Sequence, residues 1–166
     1  MKRVIIIGCA GSGKSTFARA LQGITSLPLI HLDLLYWKED GTTITREELR
    51  ERLGCIMKEE RWIIDGNYAA TMEERMEKCD TVFFLDYPTD VCLGGILERR
   101  GKPRSDMPCT PPTDDHDFIE FIKNYRDKNR PAVLELLKKY DSKSIYIFKS
   151  RSEADEFLES IKAPNS

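Results

Sequence analysis

The residues Gly8-Cys9-Ala10-Gly11-Ser12-Gly13-Lys14-Ser15 carry the spacing G-x-x-x-x-G-K-[ST], which is a chemistry for holding polyphosphate. The glycines let the backbone curl until successive N–H groups point inward as an anion nest. Lys14 supplies a point charge to the β- and γ-phosphates, and the Ser15 hydroxyl is placed to ligate Mg²⁺. With Thr16, these residues are the expected contacts of a nucleoside triphosphate. The flanks agree with that reading. Residues 3–7 (Arg-Val-Ile-Ile-Ile) are an apolar, β-branched run that reads as a buried parallel strand. Residues 15–21 follow as helix, with Phe17, Ala18 and Leu21 on one face, so the positive end of the helix dipole meets the phosphates.

Carboxylates are the second group with chemistry in them. Three apolar runs, 28–32, 61–64 and 81–85, each stop at an aspartate: Asp33, Asp65 and Asp86. In an open parallel sheet such ends line the crevice that also holds the phosphate loop. There a carboxylate can order Mg²⁺ and its waters, or take the proton of an attacking hydroxyl. Asp65 is assigned to Mg²⁺ with Ser15 if its strand lies beside the first. Asp33 is assigned to the acceptor or to the base role, and Asp86 to structure. His31 and Asp33 are two apart and are expected on one face of their strand, with His31 read as a core or edge histidine.

Phosphoryl transfer also needs fixed cations to stabilise spreading charge. Arg100 and Arg104 flank or occupy a loop candidate, and Arg126 and Arg130 share one face of the following helix. All four are candidate phosphate contacts, as is Arg99.

Length and composition frame these groups. The 166 residues suit one domain, and a net charge of −2 gives no strong basic field for nucleic acid. Five scattered cysteines (Cys9, Cys55, Cys79, Cys92, Cys109) form no C-x-x-C or Cys/His cluster, so neither a disulfide framework nor a zinc site is expected. The basic start before Val4 is followed by too short an apolar run for a signal segment, and no run approaches a membrane span. A cytoplasmic protein is expected.

The elements that must position the groups read as alternating strands and helices. Thr45 and Glu48 form a capping box before a helix with Leu49, Leu53, Ile56 and Met57 on one face. Thr71 and Glu74 form the same pattern and predict a helix over 71–79. The helix expected over 89–100 is weakened by Gly94-Gly95, at roughly 1 kcal/mol per glycine. Residues 101–117, with Pro103, Pro108, Pro111 and Pro112, lack periodicity and read as a lid. A helix over 118–129 should end or kink at Pro131, a fifth strand covers 144–148, and a capped helix closes the chain at 152–161. The pattern predicts a three-layer α/β fold with a parallel sheet.

Several of these segments in order also carry a family resemblance: the P-loop, His31-Leu32-Asp33, Trp62-Ile63-Ile64-Asp65-Gly66-Asn67-Tyr68, Phe84-Leu85-Asp86-Tyr87-Pro88, Arg99-Arg100-Gly101-Lys102-Pro103-Arg104 and Tyr125-Arg126-x-x-x-Arg130-Pro131. Together they resemble the adenylate-kinase-related proteins labelled DNA topology modulation proteins, within the P-loop NTPase superfamily. The likeness runs from Lys2 to about Phe157. It implies a nucleoside-monophosphate-kinase-like fold with strand order 2-3-1-4-5 and a small lid, and so places Asp65 near Mg²⁺. Adenylate kinases carry Asp-Gly-Phe-Pro-Arg where this chain has Asp65-Gly66-Asn67-Tyr68. The arginine that grips a monophosphate is missing here, which argues against AMP as acceptor.

Two functions follow as expectations. One is a kinase that moves the γ-phosphoryl of Mg-ATP to a small acceptor near Asp33. The other is a nucleotide-dependent regulatory or DNA-associated protein, which predicts a basic face and salt-dependent DNA affinity. The short basic group at 99–104 serves either.

Overall fold

The computed structural model describes residues 1–109 and 115–162. The chain runs β1 (Arg3–Gly8), α1 (Lys14–Thr25), β2 (Leu29–His31), α2 (Leu32–Tyr36), α3 (Arg46–Ile56), β3 (Trp62–Asp65) and α4 (Ala69–Lys78). It continues through β4 (Thr81–Leu85), α5 (Thr89–Arg99), α6 (Asp115–Lys128), α7 (Arg130–Lys139), β5 (Ser144–Phe148) and α8 (Arg151–Ile161). All strand pairings are parallel and the order is β2-β3-β1-β4-β5.

The central strand shows why this sequence needs two helical layers. Side chains alternate across a strand, so Val4 and Ile6 enter one apolar cluster while Ile5 and Ile7 enter the other. The first cluster is closed by Phe17, Ala18 and Leu21 of α1, Ile122 of α6 and Leu158 of α8. The second is closed by Leu49 and Leu53 of α3, Met76 of α4 and Leu137 of α7. Burying each such side chain is worth about 1.5–3 kcal/mol, and a solvent-facing β1 would forfeit that on one side.

Local chemistry sets several boundaries. Thr45 and Glu48 close the reciprocal capping box at α3. Asn129 separates α6 from α7, and Pro131 sits in the first turn of α7, where its missing N–H costs nothing. Three expectations are corrected. Helix α4 begins at Ala69 after Tyr68, whose backbone is left-handed, so Thr71 lies inside the helix and caps nothing. Its hydroxyl instead accepts from Arg75. Strand β2 stops at His31 and the chain turns into α2, so Asp33 lies in a helical turn and the common strand face with His31 does not exist. Of the expected lid over 101–117, residues 110–114 lie outside the described residues and 115–117 are helical.

The Gly94-Gly95 pair has a packing reason. A Cβ on Gly95 would come within 2.1 Å of the Gly11 carbonyl oxygen, and one on Gly11 within 2.0 Å of the Cys92 carbonyl oxygen. Helix α5 and the phosphate loop therefore meet backbone to backbone. Among the described residues no helix is long and apolar enough to cross a membrane.

Candidate active site

The strand order brings the carboxyl ends of β1, β2 and β3 together under one cavity of about 580 Å³. Its floor is the phosphate loop. Gly13 precedes α1 with no side-chain cap, and the first turn holds no acidic residue. The helix end thus keeps its partial positive charge for an anion. Lys14 Nζ donates to the Cys9 carbonyl at 3.1 Å, which curls the side chain back over the loop. Cys9 is buried, and the hydrogen-bonded Cys92 thiol together with burial pushes its own thiol up, so it packs rather than reacts.

Asp65 closes β3 at a point where the register pairs it with Ile6 on one side and His31 on the other. It is 4% exposed. Its Oδ2 accepts from Ser15 Oγ at 2.8 Å and from His31 Nδ1 at 2.7 Å. A carboxylate only accepts, so Nδ1 carries the hydrogen. Asp65 Oδ1 is buried without a hydrogen-bond partner among the described residues. A buried, unpaired carboxylate oxygen beside a hydroxyl is a donor set that suits a hard divalent cation.

Asp33 faces the same cavity from α2. Burial raises its carboxyl above the ordinary 3.8, opposed by the Tyr68 hydroxyl that donates to it and by the charges of Lys14 and Arg104. Arg104 Nη2 stands 3.9 Å from Asp33 Oδ2. The same guanidinium forks onto Asp106, Nε to Oδ1 at 3.1 Å and Nη2 to Oδ2 at 2.6 Å. Asp106 also competes with Asp65 for the one proton of Ser15, its Oδ2 lying 2.9 Å from Ser15 Oγ. Burial works to raise its carboxyl, but the Arg104 bonds and charge outweigh it and hold the value at about 2.

Lys14, Ser15, Thr16, Asp33, Asp65 and Arg104 are therefore gathered in one place. Arg100, Arg126 and Arg130 are not among the residues that line it. Arg130 instead forks onto Asp86 with both contacts at 2.7 Å, and Arg126 approaches the same carboxylate at 3.9 Å. Lys149 binds it too. Asp86 is thus a buried partner of Arg126 in α6, Arg130 in α7 and Lys149 just after β5.

Arg99, a candidate from the sequence, lines the cavity, and so do Arg19 and Arg151, which sequence reasoning missed. Arg151 donates to the Gly11 carbonyl at 3.3 Å. Burial and the neighbouring charge of Arg104 lower Arg99. Arg75 is fully buried, yet its hydrogen bonds go to Thr71 and to the carbonyls of Gly66, Asn67 and Tyr68. It thereby fixes the turn from which Asn67 grips Gly8 and Tyr68 reaches Asp33.

No protein-family model and no curated protein sequence matches the chain. Among solved structures it is similar to a shikimate kinase from Bacteroides thetaiotaomicron, with 18% identity, 96% of this chain and 95% of that one covered, and a TM-score of 0.56. A shikimate kinase from Acinetobacter baumannii in complex with shikimate gives 17% identity, 97% and 93% coverage and a TM-score of 0.58. A gluconokinase from Sinorhizobium meliloti 1021 gives 14% identity, 97% and 89% coverage and a TM-score of 0.55. The fold is that of the P-loop kinases. At these identities the likeness is one of architecture.

Proposed function

We propose that the chain is a phosphotransferase that moves the γ-phosphoryl of ATP to a hydroxyl of a small acceptor. The observation that carries this reading is the position of Asp33: a carboxylate with a raised pKa in the cavity that holds the phosphate loop, beside Arg104. Matching a base toward working pH is how a carboxylate is made useful for proton abstraction. The architecture shared with shikimate kinases and a gluconokinase supports the same class.

In this reading the N–H groups of residues 8–16 and the Lys14 ammonium hold the β- and γ-phosphates. Ser15 and Asp65 would hold Mg²⁺, which would supply neutralising charge at the phosphates. Asp33 takes the acceptor hydroxyl's proton, the freed oxygen forms a bond to the γ-phosphorus, and the bond from that phosphorus to the β,γ-bridging oxygen breaks to leave ADP. Arg104 and Arg99 stabilise the charge spread over the transferring group. Trp37, at the edge of the cavity next to Tyr36, offers an apolar wall to the acceptor. The resemblance of the motif order to that of adenylate-kinase-related DNA topology modulation proteins supports the same kinase-like reading.

The test is ADP production from Mg-ATP across nucleosides, nucleotides, sugars and small hydroxy acids, with Lys14→Ala as the blank. A compound that raises turnover above the acceptor-free rate, and loses the effect in Lys14→Ala, is expected. ATP binding without any such compound overturns the reading.

A further inference from the structure

Asp106 does something that the proposed transfer does not require of it. It sits in the segment 101–109, far in sequence from the phosphate loop, yet is 5% exposed with its carboxylate against the Ser15 hydroxyl. Ser15 Oγ lies 2.8 Å from Asp65 Oδ2 and 2.9 Å from Asp106 Oδ2. A hydroxyl has one proton and can satisfy one carboxylate. The other carboxylate oxygen then keeps only its second partner, Arg104 on Asp106 or His31 on Asp65. Separately, Asp65 Oδ1 is buried with no partner among the described residues. Two carboxylates converge on one hydroxyl in a nearly dry place, with the Arg104 guanidinium forked onto one of them, and Asp65 keeps a buried oxygen with no partner among the described residues, a donor set that suits a divalent cation.

The spacing suits a small one. Adjacent ligands of an octahedral Mg²⁺, at metal–oxygen distances of about 2.0–2.1 Å, stand about 2.8–3.0 Å apart. Asp65 Oδ2, Ser15 Oγ and Asp106 Oδ2 already have that separation in sequence. The nitrogen groups stand on the outside: His31 on Asp65 and Arg104 on Asp106. Such outer partners orient metal ligands.

We infer that Asp106 is a third protein oxygen ligand to the divalent cation held by Ser15 and Asp65, so that the cation ties the segment 101–109 to the phosphate loop. The inference rests on the proposed cation site and adds a ligand from a third part of the chain. It also gives Arg104 its setting: forked onto a metal-bound Asp106, the guanidinium is held toward Asp33.

The experiment is Mn²⁺ binding to the full chain in the presence of ADP, followed by the electron paramagnetic resonance signal of free Mn²⁺. Asp106→Asn is expected to weaken Mn²⁺ at least about tenfold. Asp106→Glu, which keeps the carboxylate, is expected to recover most of the loss. Mn²⁺ affinity within twofold of the parent in Asp106→Asn overturns the inference. Asp65→Asn separates the two levels. If it too leaves Mn²⁺ unchanged, the cation site itself is misplaced. If it abolishes binding while Asp106→Asn does not, Asp106 alone is misassigned. A readout free of variants is tryptic cleavage after Arg100 and Arg104. Mn²⁺ with ADP is expected to slow it beyond ADP alone, and equal rates overturn the inference.

Discussion

Asn67 holds Gly8 from both sides. Its side-chain oxygen accepts from the Gly8 N–H at 3.0 Å and its amide nitrogen donates to the Gly8 carbonyl. The turn after β3 is thereby fastened to the start of the phosphate loop, and a single side chain does the work of a strand pairing just past the last rung of the sheet. Asn67→Ala leaves both backbone groups unpaired in a part-buried place. The expected cost is about 1–3 kcal/mol, read from urea unfolding, with weaker ADP binding by calorimetry.

The two glycines of α5 should behave oppositely. A Cβ on Gly94 would meet nothing within 4 Å, whereas one on Gly95 meets the Gly11 carbonyl at 2.1 Å. Gly94→Ala is expected to raise stability by roughly 0.5–1 kcal/mol through helix propensity. Gly95→Ala is expected to lower stability and weaken nucleotide binding, because the loop must move away. Thermal unfolding with and without ADP distinguishes the pair.

Asp33 must be ionised to act as base, so activity is present above its folded pKa and lost as pH falls through it. Burial places that value above the ordinary 3.8, and the Tyr68 hydroxyl pulls it down. Tyr68→Phe removes the pull. The acid limb of kcat/KM is expected to move to higher pH in the variant, and a limb that stays put or moves lower contradicts the base role.

Asp86 is shifted in the opposite direction and gives a stability signature. Burial works to raise its carboxyl, but the bonds from Arg130 and Lys149 outweigh it and set the value below the ordinary 3.8. Its stabilising contribution is therefore present above the unfolded value and lost as pH falls through the folded one. Arg130→Ala weakens the hold on the charged form. The acid-unfolding midpoint, followed by circular dichroism, is expected to rise.

Arg75 tests how the Gly66-Asn67-Tyr68 turn is held. Burial brings its guanidinium down to about 10, still a cation near neutral pH. Arg75→Met strips the carbonyls of Gly66 and Asn67 of their donor, at roughly 1–3 kcal/mol for each group left unpaired. Urea unfolding is expected to show the loss, and Arg75→Lys to restore only part of it, since one ammonium cannot reproduce the fork.

The legible parts of the sequence were those with local periodicity or fixed spacing. Gly8 to Ser15 announced the loop, Val4 to Ile7 announced a strand buried on both faces, and the motif order carried the strand order. What stayed hidden depends on contacts across the chain. Asp106 lies in a stretch without periodicity, 91 residues from the hydroxyl that it touches. Arg75 belongs to a charged helix and looks like surface until its burial is seen. Thr71 and Glu74 spell a capping box, but the left-handed Tyr68 starts the helix earlier. Arg126 and Arg130 have the spacing of a phosphate clamp, and only the fold reveals that Asp86 claims them.

The backbone-to-backbone meeting of Gly11 and Gly95 turns α5 into a ruler. One end rests on the loop with no clearance for adjustment, and four residues further along stands Arg99, about 6 Å away at the helical rise of 1.5 Å per residue. The offset of the Arg99 backbone from the loop is thus set by helix geometry. Substitutions in 101–109 can therefore reshape that wall of the cavity without displacing the backbone that carries Arg99.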